Sequence, residues 1–191
     1  MGRLLPLTVL LSAATAFGAA EPSAEQIGSV QVFLTPEQAR AGAFPQAGHF
    51  DERMIAVSPM LETKLRERGL RPFAGDSVAV YIAHDSTGVP VGYATIGEEI
   101  GKYRPLTFLV ATNLQLQVTS VAILVYRESR GGEVRRQRFL RQYRGKDGED
   151  PIRINRDIIN ITGATLSVRA LNVGVRKSLL LLEEEFDPLV H

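Results

Sequence analysis

Residues 162–185 read TGATLSVRALNVGVRKSLLLLEEE, a short turn followed by a long amphipathic segment. The pattern predicts a helix from about Thr165 or Leu166 to Glu185, with one apolar face toward a core. The residues on that face are Leu171, Val175, Leu179 and Leu182. The turn would present the Thr165 hydroxyl at the helix N-terminus, where free N–H groups and the positive end of the helix dipole can hold a phosphate.

The segment ahead of this turn is rich in β-branched and aromatic residues, which predict strands over 78–82, 91–96, 106–112 and 118–126. Short connections between these strands imply antiparallel pairing. Helices are expected at about 35–44 and 60–68, and a helix of about ten residues is expected to follow the loop that ends at Glu133 and to run through Phe139 and Leu140. These elements predict an α+β fold, a small antiparallel sheet flanked by helices.

The composition excludes several kinds of site. The chain of 191 residues has no cysteine, which excludes disulfides, thiolate chemistry and cysteine-based metal centres. Its three histidines are His49, His84 and His191, and none of them is spaced from another as metal ligands usually are. The sequence therefore predicts no metal site. No convincing catalytic triad or carboxylate pair is present either.

The first twenty residues have the pattern of an export signal. Arg3 is the only charged residue, Leu4 to Phe17 form an apolar run, and small residues end at Ala20. The pattern predicts cleavage after Ala20 and a mature protein that is soluble and periplasmic or otherwise exported; the alternative is an uncleaved anchor. The predicted organisation is a signal peptide at 1–20, a helical N-terminal lead-in at 21–75 and a further domain at 76–191.

Basic residues are concentrated between positions 127 and 146: Arg127, Arg130, Arg135, Arg136, Arg138, Arg141, Arg144 and Lys146. This cluster has few interleaved aromatic residues and no base-stacking platform, and the mature chain is near neutral overall. Nucleic acid is therefore not an expected partner. A solvated helix face is the simplest interpretation, with attraction of a phosphate or of an acidic redox partner as the alternative.

The order of several short motifs resembles a known family. The motifs are Gly101-Lys102, Phe108-Leu109-Val110, Tyr126-Arg127-Glu128-Ser129, Gly132-Glu133, Phe139-Leu140, Gly145-Lys146 and Thr162-Gly163-Ala164-Thr165. This order is similar to the FMN-binding domain of the G subunit of Rnf-type electron-transport complexes and of the C subunit of sodium-pumping NADH:quinone reductase. It is also similar to stand-alone exported flavoproteins. The resemblance covers about residues 78–183 and implies an FMN-binding-domain type of fold.

The resemblance implies FMN as the cofactor, attached covalently through a phosphoester to the last threonine of the motif, here Thr165. A separate flavin transferase that uses FAD and Mg²⁺ would make the bond, and a membrane or periplasmic redox partner would exchange electrons with the flavin. The implied cofactor-binding residues are Thr165, Thr162, Gly163, Ala164, Leu166, Ser167, Glu128, Ser129 and Arg127. Tyr103 or Tyr126 could stack on the flavin ring.

One position departs from the family pattern. Many members have an aspartate six residues before the modified threonine, where this chain has Ile159; Asp157 and Asn160 lie nearby. One alternative to a covalent flavoprotein electron carrier is therefore non-covalent FMN binding. Others are a cofactor-free periplasmic binding module that holds another phosphate or carboxylate at the helix N-terminus, and a small flavin reductase. Thr162 and Thr165 could also be ordinary capping residues with no ligand. An electron-transfer role is expected rather than that of a stand-alone enzyme.

Overall fold

The computed structural model describes residues 29–187 of the chain. The predicted signal peptide and His191 lie outside the described residues. The strands are β1 (Gln31–Val32), β2 (His49–Ala56), β3 (Ser77–His84), β4 (Pro90–Ile100), β5 (Pro105–Thr112) and β6 (Val118–Tyr126). The helices are α1 (Pro36–Ala43), α2 (Pro59–Glu67), α3 (Gln137–Leu140) and α4 (Thr165–Phe186). Within 29–187, no helix is both long enough and apolar enough to cross a membrane.

The strands form one antiparallel sheet in the order β1-β6-β5-β4-β3-β2. The α+β fold and the four central strands are confirmed. The lead-in contains its two predicted helices, but it also adds β1 and β2 to the two edges of the sheet. The sequence HFDERMIA of β2 did not indicate a strand because half of its side chains are polar, they do not alternate with the apolar ones, and most of the eight are exposed.

Strand β5 shows how the two faces of the sheet are covered. Leu106, Phe108 and Val110 point toward helix α4 and pack in a core with its apolar face. Leu109 and Ala111 point the other way, into a second core that includes residues of helix α1. Because successive side chains alternate between the faces, a strand buried on both sides is apolar throughout. The sheet is thus enclosed between α4 on one face and α1 on the other.

The first two helices begin where their capping residues predict. Thr35 and Gln38 form a reciprocal capping box ahead of α1, with a proline at the first helical position. Ser58 Oγ accepts a hydrogen bond from the amide of Leu61 at the start of α2. These local contacts explain why both helices could be located from sequence alone.

The prediction of one helix of about ten residues through Phe139 and Leu140 is wrong. The structure has two 3₁₀ turns, at Gly132–Arg135 and Arg141–Tyr143, on either side of the four-residue helix α3. Arg136 has an extended backbone, with φ −65° and ψ 129°, and interrupts the helical path. The segment follows the contour of the core, into which it buries Val134 and Tyr143.

Candidate functional site

The turn from Thr162 to Ala164 leads directly into helix α4. Gly163 has a φ of +85°, a left-handed conformation that favours glycine, and a Cβ atom there would meet nothing within 4 Å. Ala164 precedes the helix and Thr165 is its first residue. The predicted placement of the Thr165 hydroxyl at the N-terminus of a long helix is therefore what the structure has.

No side chain caps the start of α4. The amide of Val168 is the first to donate along the helix, to the carbonyl oxygen of Ala164 at 2.9 Å. The N–H groups of residues 165–167 precede it and have no acceptor in a regular helix. Neither Thr162 nor Thr165 acts as an N-cap here, so the interpretation of this motif as capping alone does not hold. In a regular helix these N–H groups are the ones that a ligand can use.

The Thr165 hydroxyl is held by a neighbouring amide. Asn160 Nδ2 donates a hydrogen bond to Thr165 Oγ1 at 2.9 Å. The other polar atom of this side chain, Asn160 Oδ1, is buried and has no hydrogen-bond partner. A buried acceptor without a donor is costly. This pair therefore places a fixed hydroxyl beside an unsatisfied oxygen.

An open cleft of about 690 Å³ lies at the helix start, within the size range of small-molecule and cofactor sites. Three segments form its walls: the β4–β5 loop, the loop after β6 and the first turn of α4. The lining residues are Lys102, Tyr103, Glu128, Ser129, Arg130, Gly163, Ala164, Thr165, Leu166 and Ser167. Seven of the nine predicted cofactor-binding residues are thus brought together, although they come from distant parts of the chain.

Glu128 organises one wall of the cleft. It is 8% exposed, and its Oε1 atom accepts hydrogen bonds from the amides of Lys102, Tyr103 and Arg104 at 2.5, 2.6 and 3.1 Å. A Cβ atom at Gly101 would lie 2.9 Å from the same oxygen. Hydrogen bonds to a charged acceptor are the strong ones. Glu128, predicted to contact the flavin, thus also fixes the loop that forms the opposite wall.

Tyr126 ties a second wall to the helix. Its hydroxyl donates to the carbonyl oxygen of Arg130 at 2.5 Å and lies 2.7 Å from Ser167 Oγ. Burial is the main cause of a pKa of Tyr126 above the usual range for tyrosine, although the Ser167 hydrogen bond lowers it. Gly131, with φ +93°, passes so close that a Cβ atom would lie 2.5 Å from the Tyr126 hydroxyl. Tyr126 is therefore a buried residue that links the loop after β6 to α4, and its ring is not exposed for stacking on the flavin.

Thr162 lines a smaller depression of about 420 Å³ next to the cleft. Glu128, Ser129 and Gly163 border both spaces. Arg135 and Arg136 add positive charge to the smaller one. Thr162 thus lies beside the cleft and directly precedes Gly163, which lines it.

Arg127 is the one predicted residue that lines neither space. Its guanidinium donates to the carbonyl oxygen of Pro105 at 3.0 Å and to Thr107 Oγ1 at 2.9 Å, and it lies 3.2 Å from a carboxylate oxygen of Glu98. The side chain is therefore directed along the sheet. Arg127 directly precedes the cleft residue Glu128 in the chain. Because successive side chains point to opposite sides of an extended strand, the two side chains point in different directions.

The structure adds two cations to the predicted set, Lys102 and Arg130. Lys102 Nζ lies 4.6 Å from the centre of the Tyr103 ring, a cation–π distance. Tyr103 lines the cleft and keeps the predicted possibility of stacking. The sequence signal for Lys102 was the Gly101-Lys102 pair, which indicated the family but assigned no contact. Arg130 was hidden among the many arginines of its segment.

Comparison with known proteins agrees with this geometry. Residues 101–180 match the family described as FMN-binding domain. These residues form an FMN-binding domain, and FMN is its cofactor. The matched segment contains all three walls of the cleft. It supports a flavin-binding module as the coarse description of the protein.

The fold is similar to that of NqrC from Shewanella oneidensis. The TM-score is 0.51 at 14% sequence identity, and the match covers 78% of this chain and 86% of that chain. At this identity the likeness concerns the fold. None of the curated proteins is significantly similar to the chain.

The residues around the cleft of the FMN-binding domain fit this cofactor. The uncapped N–H groups of α4 suit a phosphate, and Gly163 leaves space above them. Lys102 and Arg130 supply positive charge, and Tyr103 and Leu166 supply apolar surface. The cleft thus offers donors and positive charge for the phosphate of FMN and apolar surface for its ring.

Proposed function

We propose that this protein is an exported electron carrier that holds FMN through a phosphoester to Thr165 Oγ1. The observation that carries the proposal is the position of this hydroxyl. It belongs to the first residue of a 22-residue helix, lines the flavin-sized cleft and is fixed by Asn160. A phosphate on it would meet the uncapped N–H groups of the first helical turn.

The roles of the remaining residues follow from their positions. Gly163 and Ala164 keep side chains away from the phosphate, while Leu166, 43% exposed, offers an apolar surface at the cleft. Lys102 and Arg130 attract the anionic end of the cofactor. Bound FMN supplies one- or two-electron redox chemistry, and the protein supplies position and electrostatics.

Attachment requires a balanced transfer from FAD. A transferase using Mg²⁺ would direct Thr165 Oγ1 at the flavin-side phosphorus of FAD. The new Oγ1–P bond forms as the bond from that phosphorus to the bridging oxygen breaks. AMP leaves, and the hydroxyl proton is lost to solvent. No oxidant or reductant is needed, because neither the protein nor the flavin changes oxidation state.

Export and partner choice rest on separate support. The signal-like residues 1–20 favour a location outside the cytosol, where free flavin is scarce and a covalent link prevents loss of the cofactor. The fold-level similarity to NqrC favours a redox partner in a membrane complex. The exposed arginines 135, 136 and 138 offer a basic surface for an acidic partner.

The test of attachment is a pair of matched variants expressed with a flavin transferase and FAD. Thr165→Val keeps the shape of the side chain but removes the acceptor hydroxyl, so the covalent adduct should be lost. Thr162→Val, on the exposed part of the same turn, should keep it. Intact mass spectrometry reports the adduct, and the same spectrum reports whether the chain begins after Ala20.

Three results are informative. An adduct on Thr165→Val would refute this residue as the site. Wild-type protein that loses all its flavin on denaturation would replace the proposal with non-covalent FMN binding. A chain that still carries residues 1–20 after expression in its export-competent host would refute a cleaved signal.

A further inference from the structure

The edge of the sheet away from β1 brings together two histidines and a carboxylate. His49 begins β2 and His84 ends β3, and the two residues are directly opposite in the antiparallel register. Their rings are stacked, with centres 4.6 Å apart and planes 8° apart. Asp51 follows two positions after His49, so that its side chain is on the same face of β2.

One donor atom from each residue lies in a small volume. A histidine nitrogen from each ring and a carboxylate oxygen of Asp51 are all within 4.8 Å of one another. His84 Nε2 lies 3.1 Å from Asp51 Oδ2, and His49 Nε2 lies 4.0 Å from Asp51 Oδ1. The spacing in sequence predicted no such group, because strand pairing and not local spacing unites these residues.

The hydrogen bonding of His84 points to a ligand. His84 Nδ1 is 3.0 Å from the carbonyl oxygen of Gly88, an acceptor, so this nitrogen carries the proton. In the neutral ring, Nε2 then has a lone pair. That atom is buried, makes no hydrogen bond and faces the Asp51 carboxylate. At this distance the two electron-rich atoms are held together by a positive charge, which a proton on Nε2 or a metal ion beside both atoms supplies.

A histidine that ligates a metal shows this same arrangement. Such a residue almost always donates its other ring N–H to a carbonyl or carboxylate, which fixes the ring and its tautomer. Two imidazole nitrogens and one carboxylate oxygen form a ligand set that suits Zn²⁺, with a fourth tetrahedral position open to water. Hard cations such as Mg²⁺ prefer all-oxygen sites.

We propose that His49, Asp51 and His84 form a Zn²⁺ site that fastens edge strand β2 to β3. His84 and the Gly88 carbonyl are the preformed part of the site. His49 and Asp51, which are 53% and 56% exposed at their side chains, close on the ion by changing rotamer. The ion would join two strands at the point where the sheet meets solvent.

The site is distinct from the flavin cleft. Strand β4 starts beside His84, through the pair His84 and Pro90, and ends at Ile100, next to the loop that lines the cleft. A strand of 11 residues spans roughly 35 Å. Zinc binding at this edge is therefore independent of flavin attachment.

The experiment is a Zn²⁺ titration of the mature protein against a chromophoric chelator after removal of metals. Wild-type protein should bind one Zn²⁺ per chain, and its midpoint of thermal unfolding should rise with Zn²⁺ concentration because the ion binds the folded state. His84→Gln and Asp51→Asn should each weaken Zn²⁺ binding at least about tenfold. Each variant changes a direct ligand of the ion, and even mutation of residues that only hydrogen-bond to a ligand typically lowers metal affinity about 10–100-fold.

Two controls make the result specific. His191→Gln removes the histidine outside the described residues and should leave the affinity unchanged. Thr165→Val should also leave it unchanged, which separates this proposal from the one on flavin attachment. Wild-type protein that does not compete with the chelator, or a His84→Gln variant with unaltered affinity and stoichiometry, would overturn the zinc site.

Discussion

Replacing Glu128 with glutamine tests whether one buried carboxylate builds the cleft. Glu128→Gln keeps the size of the side chain and an oxygen that can still accept hydrogen bonds, but it removes the charge. The wild-type Oε1 atom accepts from three consecutive amides, those of Lys102, Tyr103 and Arg104. The change therefore weakens one wall of the cleft without leaving a cavity.

The expected size of the effect follows from those three bonds. A hydrogen bond to a charged group contributes about 1.5–3 kcal/mol and a neutral one about 0.5–1.5 kcal/mol, a difference of roughly 1 kcal/mol per bond. Because the three donors share one oxygen, their contributions are not additive. The variant should lose about 1–3 kcal/mol in the free energy of unfolding.

Urea denaturation of the flavin-free protein measures this loss, and amide hydrogen exchange locates it. Exchange should accelerate at residues 102–104 more than in the strands on either side. Glu52→Gln, an exposed position on β2, is the matched control and should change stability by less than about 0.5 kcal/mol. Unchanged exchange at 102–104 together with wild-type stability would refute the role assigned to Glu128.

Two further changes test the packing that supports the site. Burial raises the pKa of Asp157, but hydrogen bonds from Lys146 and from two backbone amides outweigh it and leave the pKa below its usual range. The stability that comes from this lowered pKa is present above the pKa of the unfolded state, about 3.9, and is lost as the pH falls through the pKa of the folded state. Asp157→Asn should therefore lower the free energy of unfolding at pH 7 and lower it much less at pH 3, as urea titrations measure. An equal loss at both pH values would contradict this reasoning. Gly174→Ala in α4 would put a Cβ atom 2.1 Å from Phe108 Cζ. The cost of this overpacking, about 1–3 kcal/mol, should exceed the roughly 1 kcal/mol that alanine gains in helix propensity, so the variant should be less stable. Gly42→Ala in α1, where a Cβ atom meets nothing within 4 Å, should be more stable than the wild type. Thermal unfolding of both variants measures these changes, and a stabilised Gly174→Ala variant would refute the tight contact with Phe108.

Elements with local signals could be predicted from the sequence. The capping residues Thr35 and Ser58 located α1 and α2, and the apolar period located α4. Strand β2 could not be found in this way, because an edge strand with mostly exposed side chains lacks the alternation that identifies strands. The extended backbone at Arg136, which divides the expected helix, depends on how the segment follows the core.

The site likewise contains residues that the sequence predicted and residues whose position depends on tertiary contacts. The turn around Gly163 and the Glu128-Ser129 pair were predicted, and the structure places them in one cleft. The inward direction of Lys102 depends on three amides bonding to Glu128, a contact across 24 to 26 residues that no local pattern encodes. The union of His49 with His84 likewise depends on strand register.

The charged residues of β2 affect how readily molecules of this protein associate with one another. An outermost strand exposes unpaired amide and carbonyl groups, and it can recruit strands from other molecules. Along β2, Asp51, Glu52 and Arg53 put charges of both signs on successive positions, and all three are exposed. An incoming strand would have to bring these charges out of water or match each one with its opposite. The rim of the sheet thereby discourages chain-to-chain stacking and amyloid-like growth.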